Sequence, residues 1–139
     1  MQADQDHNRE RHLVFVYGTL RRGMPNHSLL TGSRCLGLAR TRERYALYME
    51  DFPKVVRDEA VSPIQGELYL VDGYTLALLD DLEDHPFLYR REMVPVIMDD
   101  GSETPAWLYF CPQAGGVLLP EGDFAAWWQQ PPEDEKEYR

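Results

Sequence analysis

Two stretches of the chain carry residues of a type and spacing that can do chemistry. The first is a glycine-bounded loop, Gly18-Thr19-Leu20-Arg21-Arg22-Gly23, set directly after the apolar run Leu13-Val14-Phe15-Val16-Tyr17. Its G-x-x-x-x-G spacing is that of a phosphate-binding loop, which continues with Lys and Ser or Thr to reach the outer phosphates and magnesium. Here Met24-Pro25 follow, and the proline also removes a backbone donor, so the pattern argues against nucleotide hydrolysis. A smaller anion still suits it. Glycine admits unusual dihedrals, and the consecutive N–H groups of Gly18, Thr19 and Leu20 can converge on one oxygen, that of a carboxylate or of a carbonyl under attack. A tight strand-to-helix connection with no ligand fits the same residues.

The second stretch is a leucine-rich segment closed by four acids, Asp80, Asp81, Glu83 and Asp84. On a helix advancing about 100° per residue, Leu78, Leu79 and Leu82 gather on one side with Leu76 at its edge. Asp80, Asp81 and Asp84 fall on or near the opposite side, and Glu83 alone lands between Leu79 and Leu76, toward the buried face. Desolvation disfavours a charged carboxylate and raises its pKa from about 4.3, which makes a better general base near neutral pH. A glutamate whose tip snorkels from the core edge to water meets the same geometry.

Other combinations are poorer. Adjacency of His27 and Ser28 cannot make a triad, and no G-x-S-x-G elbow exists. His85, before Pro86, suits a helix end, and Tyr45, Tyr48, Tyr69, Tyr74 and Tyr89 suit core or rim positions. Cys35 and Cys111 stand in no Cys-x-x-Cys pattern, with no His at ligand spacing, and read as two free thiols. His7 and His12 share one terminal arm and give little support for a metal. No metal or cofactor is expected.

The elements that must position these residues are short. Residues 13–17 are apolar on both faces, the mark of an interior strand, and Asn26 is placed to cap a short helix starting near His27. Strands are expected over 35–39, 45–49, 54–57 and 64–71, interrupted at Phe52-Pro53 and Ser62-Pro63. Asp72 is placed to cap a helix over 74–84 that Pro86 ends. Residues 89–98 form a strand with an edge or bulge at Pro95, and Asp99-Asp100-Gly101-Ser102 turns it into a returning strand over 106–111. A short helix over 123–128, with Trp127-Trp128 packed on the domain, precedes Pro131-Pro132. Many short strands and few helices indicate an α+β fold with a curled sheet or small barrel.

The 139 residues suit one domain, here 13–128, between an N-terminal arm (1–12) and an acidic tail (129–139) containing Glu133-Asp134-Glu135-Lys136-Glu137. The tail reads as a solvated end rather than an interaction module. A net charge of −10 opposes a phosphate-tracking surface, so no nucleic-acid partner is expected. No run approaches the roughly 20 apolar residues of a membrane helix, and the polar start is no secretory signal. The expected location is cytoplasmic.

Taken in order, Val14-Phe15-Val16-Tyr17-Gly18-Thr19-Leu20-Arg21-Arg22-Gly23, Pro25-Asn26-His27, Phe52-Pro53, Gly66-Glu67-Leu68-Tyr69, Leu79-Asp80-Asp81-Leu82-Glu83 and Tyr89-Arg90-Arg91 resemble the gamma-glutamylcyclotransferase superfamily. The likeness is strongest to its gamma-glutamylamine cyclotransferase branch and spans about residues 13–110. It implies a small mixed β-barrel flanked by a few short helices, and cyclisation of a gamma-glutamyl amine to 5-oxoproline without a cofactor. It also implies Glu83 as the catalytic acid/base, the loop Tyr17, Gly18, Thr19 and Leu20 as the holder of the product-like ring, and Tyr89 as a pocket or orienting residue. The leaving amine stays open among the ε-amine of lysine, a small amine and a modified metabolite, with glutathione disfavoured. A module that only binds carboxylates would keep the loop but gain nothing from a desolvated Glu83. The helix-end motif often continues with glycine; here Asp84-His85 follow.

Overall fold

The computed structural model describes residues 10–129; all of the acidic tail but Gln129, and all of the N-terminal arm but its last three residues, His7 included, lie outside them. Among the described residues, eight strands share one sheet: β1 (Arg11–Val16), β2 (Arg34–Thr41), β3 (Ala46–Met49), β4 (Pro53–Val56), β5 (Gln65–Asp72), β6 (Arg90–Met98), β7 (Glu103–Cys111) and β8 (Val117–Leu119). Helix α1 spans Gly73–Leu82, α2 spans Phe124–Trp128, and a 3-10 turn covers His27–Leu30. The order is β1-β5-β2-β6-β7-β4-β3-β8, and a further parallel pairing of β1 with β7 closes the first five strands into a mixed barrel.

Period-two alternation builds the core on both faces of β1. Phe15 enters the barrel with Leu47, Leu68, Val96, Leu108 and Phe110. Val14 and Val16 point outward onto Leu30, Val71, Leu76 and Leu79, where α1 and the 3-10 turn cover the wall. The apolar character of both faces thus reflects burial on both sides, as for an interior strand. Gly66 lets β5 approach β1 closely: a Cβ there would lie 2.7 Å from Cζ of Phe15 and run into the Val16 carbonyl.

The outer edge of β7 is divided. β1 pairs with it at Val14↔Trp107, and β4 takes over at Val55↔Phe110 and Val56↔Cys111, both in parallel. Between them the chain leaving β1 at Tyr17 and the chain entering β4 at Pro53 come together.

Several local expectations change. Tyr17 lies just past β1, which starts at Arg11. Asn26 makes no side-chain cap to the 3-10 turn; its amide is used elsewhere. Asp72 does cap α1, its Oδ1 accepting from Thr75 N–H at 2.7 Å. Pro95 sits one residue beyond the last β2 partner, at Val96, so it occupies a local edge while the β6–β7 register runs through it unbroken; the register shift falls instead in β2, at Cys35/Gly37. Trp127 packs toward the barrel, whereas Trp128 is half exposed.

The most consequential change is the end of α1. It stops at Leu82, before Asp84, because Asp84 adopts φ 51°. Asp84 N–H donates to the Asp81 carbonyl (3.2 Å) and His85 N–H to that of Asp80 (2.9 Å), the paired bonds of a Schellman turn with Asp84 in the left-handed position that glycine usually takes. Pro86 is therefore not what ends the helix. The face that α1 buries carries Gly73, Leu76 and Leu79, so Leu82 is partly exposed rather than in the core, and Asp80 is tucked against β6 and β7 rather than facing solvent.

The glycine common at this point of the family motif fits the same left-handed residue. Replacing Asp84 by Gly should leave the fold intact and raise unfolding free energy by about 1 kcal/mol, whereas Asp84→Val should lower it; urea denaturation of both variants measures the sign.

Candidate active site

The fork on β7 opens into a cavity of about 240 Å3, below the range of about 300–1,000 Å3 typical of drug-sized sites. Residues 15–20, leaving β1, form one wall. Phe52 and Pro53 form the next, and Leu82, Glu83, Leu88, Tyr89 and Tyr109 close it. The structure therefore brings all six sequence-predicted residues, Tyr17, Gly18, Thr19, Leu20, Glu83 and Tyr89, into one space.

The loop is held from its carbonyl side. Gly18 C=O accepts from Arg21 N–H (3.0 Å), and Thr19 C=O from Asn26 N–H (2.9 Å). Asn26 Nδ2 donates to Thr19 Oγ1 (2.9 Å), and His27 Nδ1 lies 3.0 Å from Leu20 O. No described residue accepts from the N–H groups of Gly18, Thr19 or Leu20, so three consecutive donors border the cavity unspent. Gly18 earns its place differently from the expected unusual dihedral: its φ is not positive, and a Cβ would sit 2.6 Å from Cγ of Pro53. It is glycine because β4 packs against it.

Beneath the loop lies a buried ion pair that sequence reading missed. Arg21 and Glu67 are only 7% and 8% exposed. Glu67 Oε2 accepts from Arg21 Nε (3.3 Å), while Oε1 accepts from Arg22 N–H (2.9 Å) and Tyr69 OH (3.0 Å). Arg21 Nη1 also reaches Asp123 Oδ1 at 3.0 Å. The Gly66-Glu67-Leu68-Tyr69 motif is thereby explained: close approach, loop clamp, core and clamp support. A doubly basic pair followed far along the chain by a lone glutamate amid apolar strand residues was the available signal.

Glu83 caps the C-terminus of α1, with its N–H on the Leu79 carbonyl (3.0 Å) and its own carbonyl accepting from Tyr89 N–H (3.2 Å). The backbone is pinned while the carboxylate makes no hydrogen bond or ion pair with any described residue. Burial, with no compensating partner, pushes its pKa from the usual carboxylate range up to about 7. Asp80, three residues earlier, is the contrast. Burial pushes it upward too, but Arg91 (2.9 and 3.2 Å) and Tyr109 OH (2.7 Å) outweigh that and hold it below the ordinary value. One carboxylate is paired and kept ionised; the other is unpaired and poised to exchange a proton near neutrality.

Three tyrosines line the space. Tyr17 OH donates to the Tyr109 carbonyl (2.9 Å) and Tyr89 OH to the Pro53 carbonyl (2.9 Å), each bridging the fork. Burial first, then neighbouring negative charge including that of Glu83, raises the pKa of both, so they stay protonated. Burial likewise pushes the Cys111 thiol behind Tyr89 up to about 11. Both cysteines are free. Tyr109 and Leu88 were not singled out from the sequence, because a strand tyrosine and a loop leucine carry no distinguishing pattern.

The fold and site together define a class of small closed five-stranded mixed barrels whose mouth sets a carboxylate, unpaired among the described residues, beside a loop of free N–H groups. A family model described as gamma-glutamyl cyclotransferase, AIG2-like, matches residues 14–128, and the chain belongs to that family. A Methanocaldococcus jannaschii protein provisionally named a gamma-glutamylcyclotransferase is 48% identical over 112 residues, 80% of this chain and 93% of its own. The Homo sapiens gamma-glutamylaminecyclotransferase is 38% identical over 109 residues, 67% of this chain and 69% of its own. The crystal structure of an AIG2-like protein from Mus musculus superposes with a TM-score of 0.73 at 26% identity, covering 83% of this chain and 88% of that one.

Two stability tests follow from the two glutamates. Glu67→Ala leaves a buried guanidinium with only Asp123 and should cost about 3 kcal/mol, part of which Arg21→Met in the same chain restores; thermal and urea melts of the single and double variants decide it. Glu83 behaves oppositely. The unfolded chain loses this proton near pH 4.5 and the folded chain near 7, so folding takes up a proton between them and the group's contribution to stability falls as pH rises through that window. Glu83→Gln should match the wild type below about pH 4 and exceed it at pH 8 by about 3 kcal/mol, read from urea midpoints across the range.

Proposed function

We propose that the protein cyclises a gamma-glutamyl amine to 5-oxoproline and releases the free amine, with Glu83 as the proton carrier. The observation that supports this most is the unpaired Glu83 carboxylate, poised near neutrality, beside the unspent N–H groups of Gly18, Thr19 and Leu20. Membership of the family and the names of its relatives point the same way.

The substrate carries its own nucleophile, so the protein needs chiefly to hold it folded. Well-aligned intramolecular reactions reach effective molarities of about 10⁵–10⁸ M. The loop N–H groups offer donors to the substrate's oxygens, either the α-carboxylate or the oxyanion formed at the side-chain carbonyl. Glu83, ionised, accepts a proton from the α-ammonium. The freed amine attacks the side-chain carbonyl carbon, forming the ring C–N bond and a tetrahedral oxyanion. As the carbonyl reforms, the original amide C–N bond breaks and its electron pair goes to the departing nitrogen, which takes a proton from Glu83. Glu83, ionised again, then takes the second proton from the ring nitrogen and passes it to the released amine, so that two protons in all move from the α-nitrogen to the leaving amine. Tyr89 serves as a wall: its hydroxyl proton is committed to Pro53 and its backbone N–H steadies Glu83.

Incubating a panel of gamma-glutamyl amines with the protein and quantifying 5-oxoproline tests this reading. Glu83→Gln should keep the fold and the affinity for 5-oxoproline while lowering turnover by about 10²-fold or more. Because the ionised form is the acceptor, wild-type kcat/KM should rise with pH through an apparent pKa near 7. Normal turnover by the variant, or a flat profile between pH 5 and 8, would refute the role given to Glu83.

A further inference from the structure

We propose that the leaving amine carries an apolar arm, alkyl or arylalkyl, and that this arm lies across a hydrophobic collar at the mouth of the Glu83 cavity. The inference rests on the cyclisation reading and extends it to substrate class.

Space requires an exit. The cavity of about 240 Å3 holds the glutamyl half against the loop donors, and the bond that breaks must lie at Glu83. Everything beyond the departing nitrogen therefore leaves the cavity on the Glu83 side. The residues on that rim are Phe52, Leu82 and Leu88, which are 37%, 40% and 40% exposed although they line the cavity. Leu88 also lines an adjoining groove of about 530 Å3, together with Pro86, Phe87 and Phe110. Phe87 is 85% exposed; its ring stands open beside the rim. Leu88, common to the cavity and the groove, and the exposed Phe87 ring thus offer an apolar step leading out from the Glu83 cavity.

Charges near the path are largely neutralised. Lys54 sits over the Phe52 ring (5.0 Å to its centroid) but is paired with Glu50 at 3.0 Å. Arg57, in the groove, is paired with Glu92. Arg90 and Asp58 also line the groove, one of each sign, and give no net preference for an anionic or cationic arm. An apolar arm gains from the collar directly: each methylene it buries is worth about 0.8 kcal/mol, close to a fourfold change.

A matched set of gamma-glutamyl amides tests this: the methylamide, butylamide and hexylamide, and the amide of 4-aminobutyrate as an arm of similar reach ending in a carboxylate. The expected result is kcat/KM rising along the alkyl series, with hexyl at least tenfold above methyl and the carboxylate arm well below butyl. Phe87→Ser should reduce the hexyl-to-methyl ratio several-fold. A flat alkyl series with clear methylamide turnover, or a carboxylate arm that outperforms butyl, would overturn the apolar subsite while leaving the cyclisation intact. Absence of 5-oxoproline from every member would overturn the cyclisation reading and the subsite with it.

Discussion

At any one residue a strand edge accepts a single partner, and β7 meets that limit by sharing its outer edge between β1 and β4. Two strands that pair in succession with the same edge must diverge where one yields to the other, and the divergence leaves a gap in the barrel wall. The backbone amides next to the gap have no ladder to join, which is why the N–H groups of Gly18, Thr19 and Leu20 find no acceptor among the described residues. Unpaired donors at a buried edge are costly unless something fills them. The fold therefore creates an acceptor site as a by-product of its topology, and the tyrosines that bridge the gap, Tyr17 to Tyr109 and Tyr89 to Pro53, fix its width.

The two buried glutamates show how one side-chain type serves opposite ends. Glu67 is surrounded by donors from Arg21, Arg22 and Tyr69; it is spent on structure and holds the loop from behind. Glu83 is given none among the described residues. Its burial works against the ionised form, and that cost is what raises its pKa toward neutrality, as the proposed proton transfer requires. If Glu83 were paired as Asp80 is, the site would be more stable at neutral pH and unable to exchange a proton there.

The α+β fold, the barrel and the strand boundaries were largely legible, because two-sided hydrophobicity in residues 13–17 and turn residues between short runs report burial directly. The six candidate residues were legible only as an ordered motif set, since neither the loop nor Glu83 was distinctive alone. What stayed hidden depends on contacts distant in sequence. That Gly18 is required by Pro53, that Asn26 staples Thr19 rather than capping a helix, and that Glu67 clamps the loop are all consequences of β1, β4 and β5 meeting. Helical-wheel geometry misplaced Asp80 and Leu82 because it centred the buried face on Leu78, Leu79 and Leu82, whereas the face that α1 buries carries Gly73, Leu76 and Leu79, which turns Asp80 toward β6 and β7 and leaves Leu82 at the rim.

The early end of α1 bears on the chemistry itself. Had the helix run on to residue 84, Glu83 would be an interior position on a regular face, its side chain directed back along the axis toward the preceding turn. The Schellman turn makes it the last residue before a reversal, and the chain then doubles back so that Tyr89 N–H meets the Glu83 carbonyl. Both backbone groups are thereby fixed by partners on opposite sides, one in the helix and one in β6's approach, while the carboxylate is left over the cavity. A residue at φ 51° other than glycine is tolerated there because the hydrogen bonds of the turn hold it. The position of the Glu83 carboxylate is thus set less by the helix than by the manner in which the helix stops.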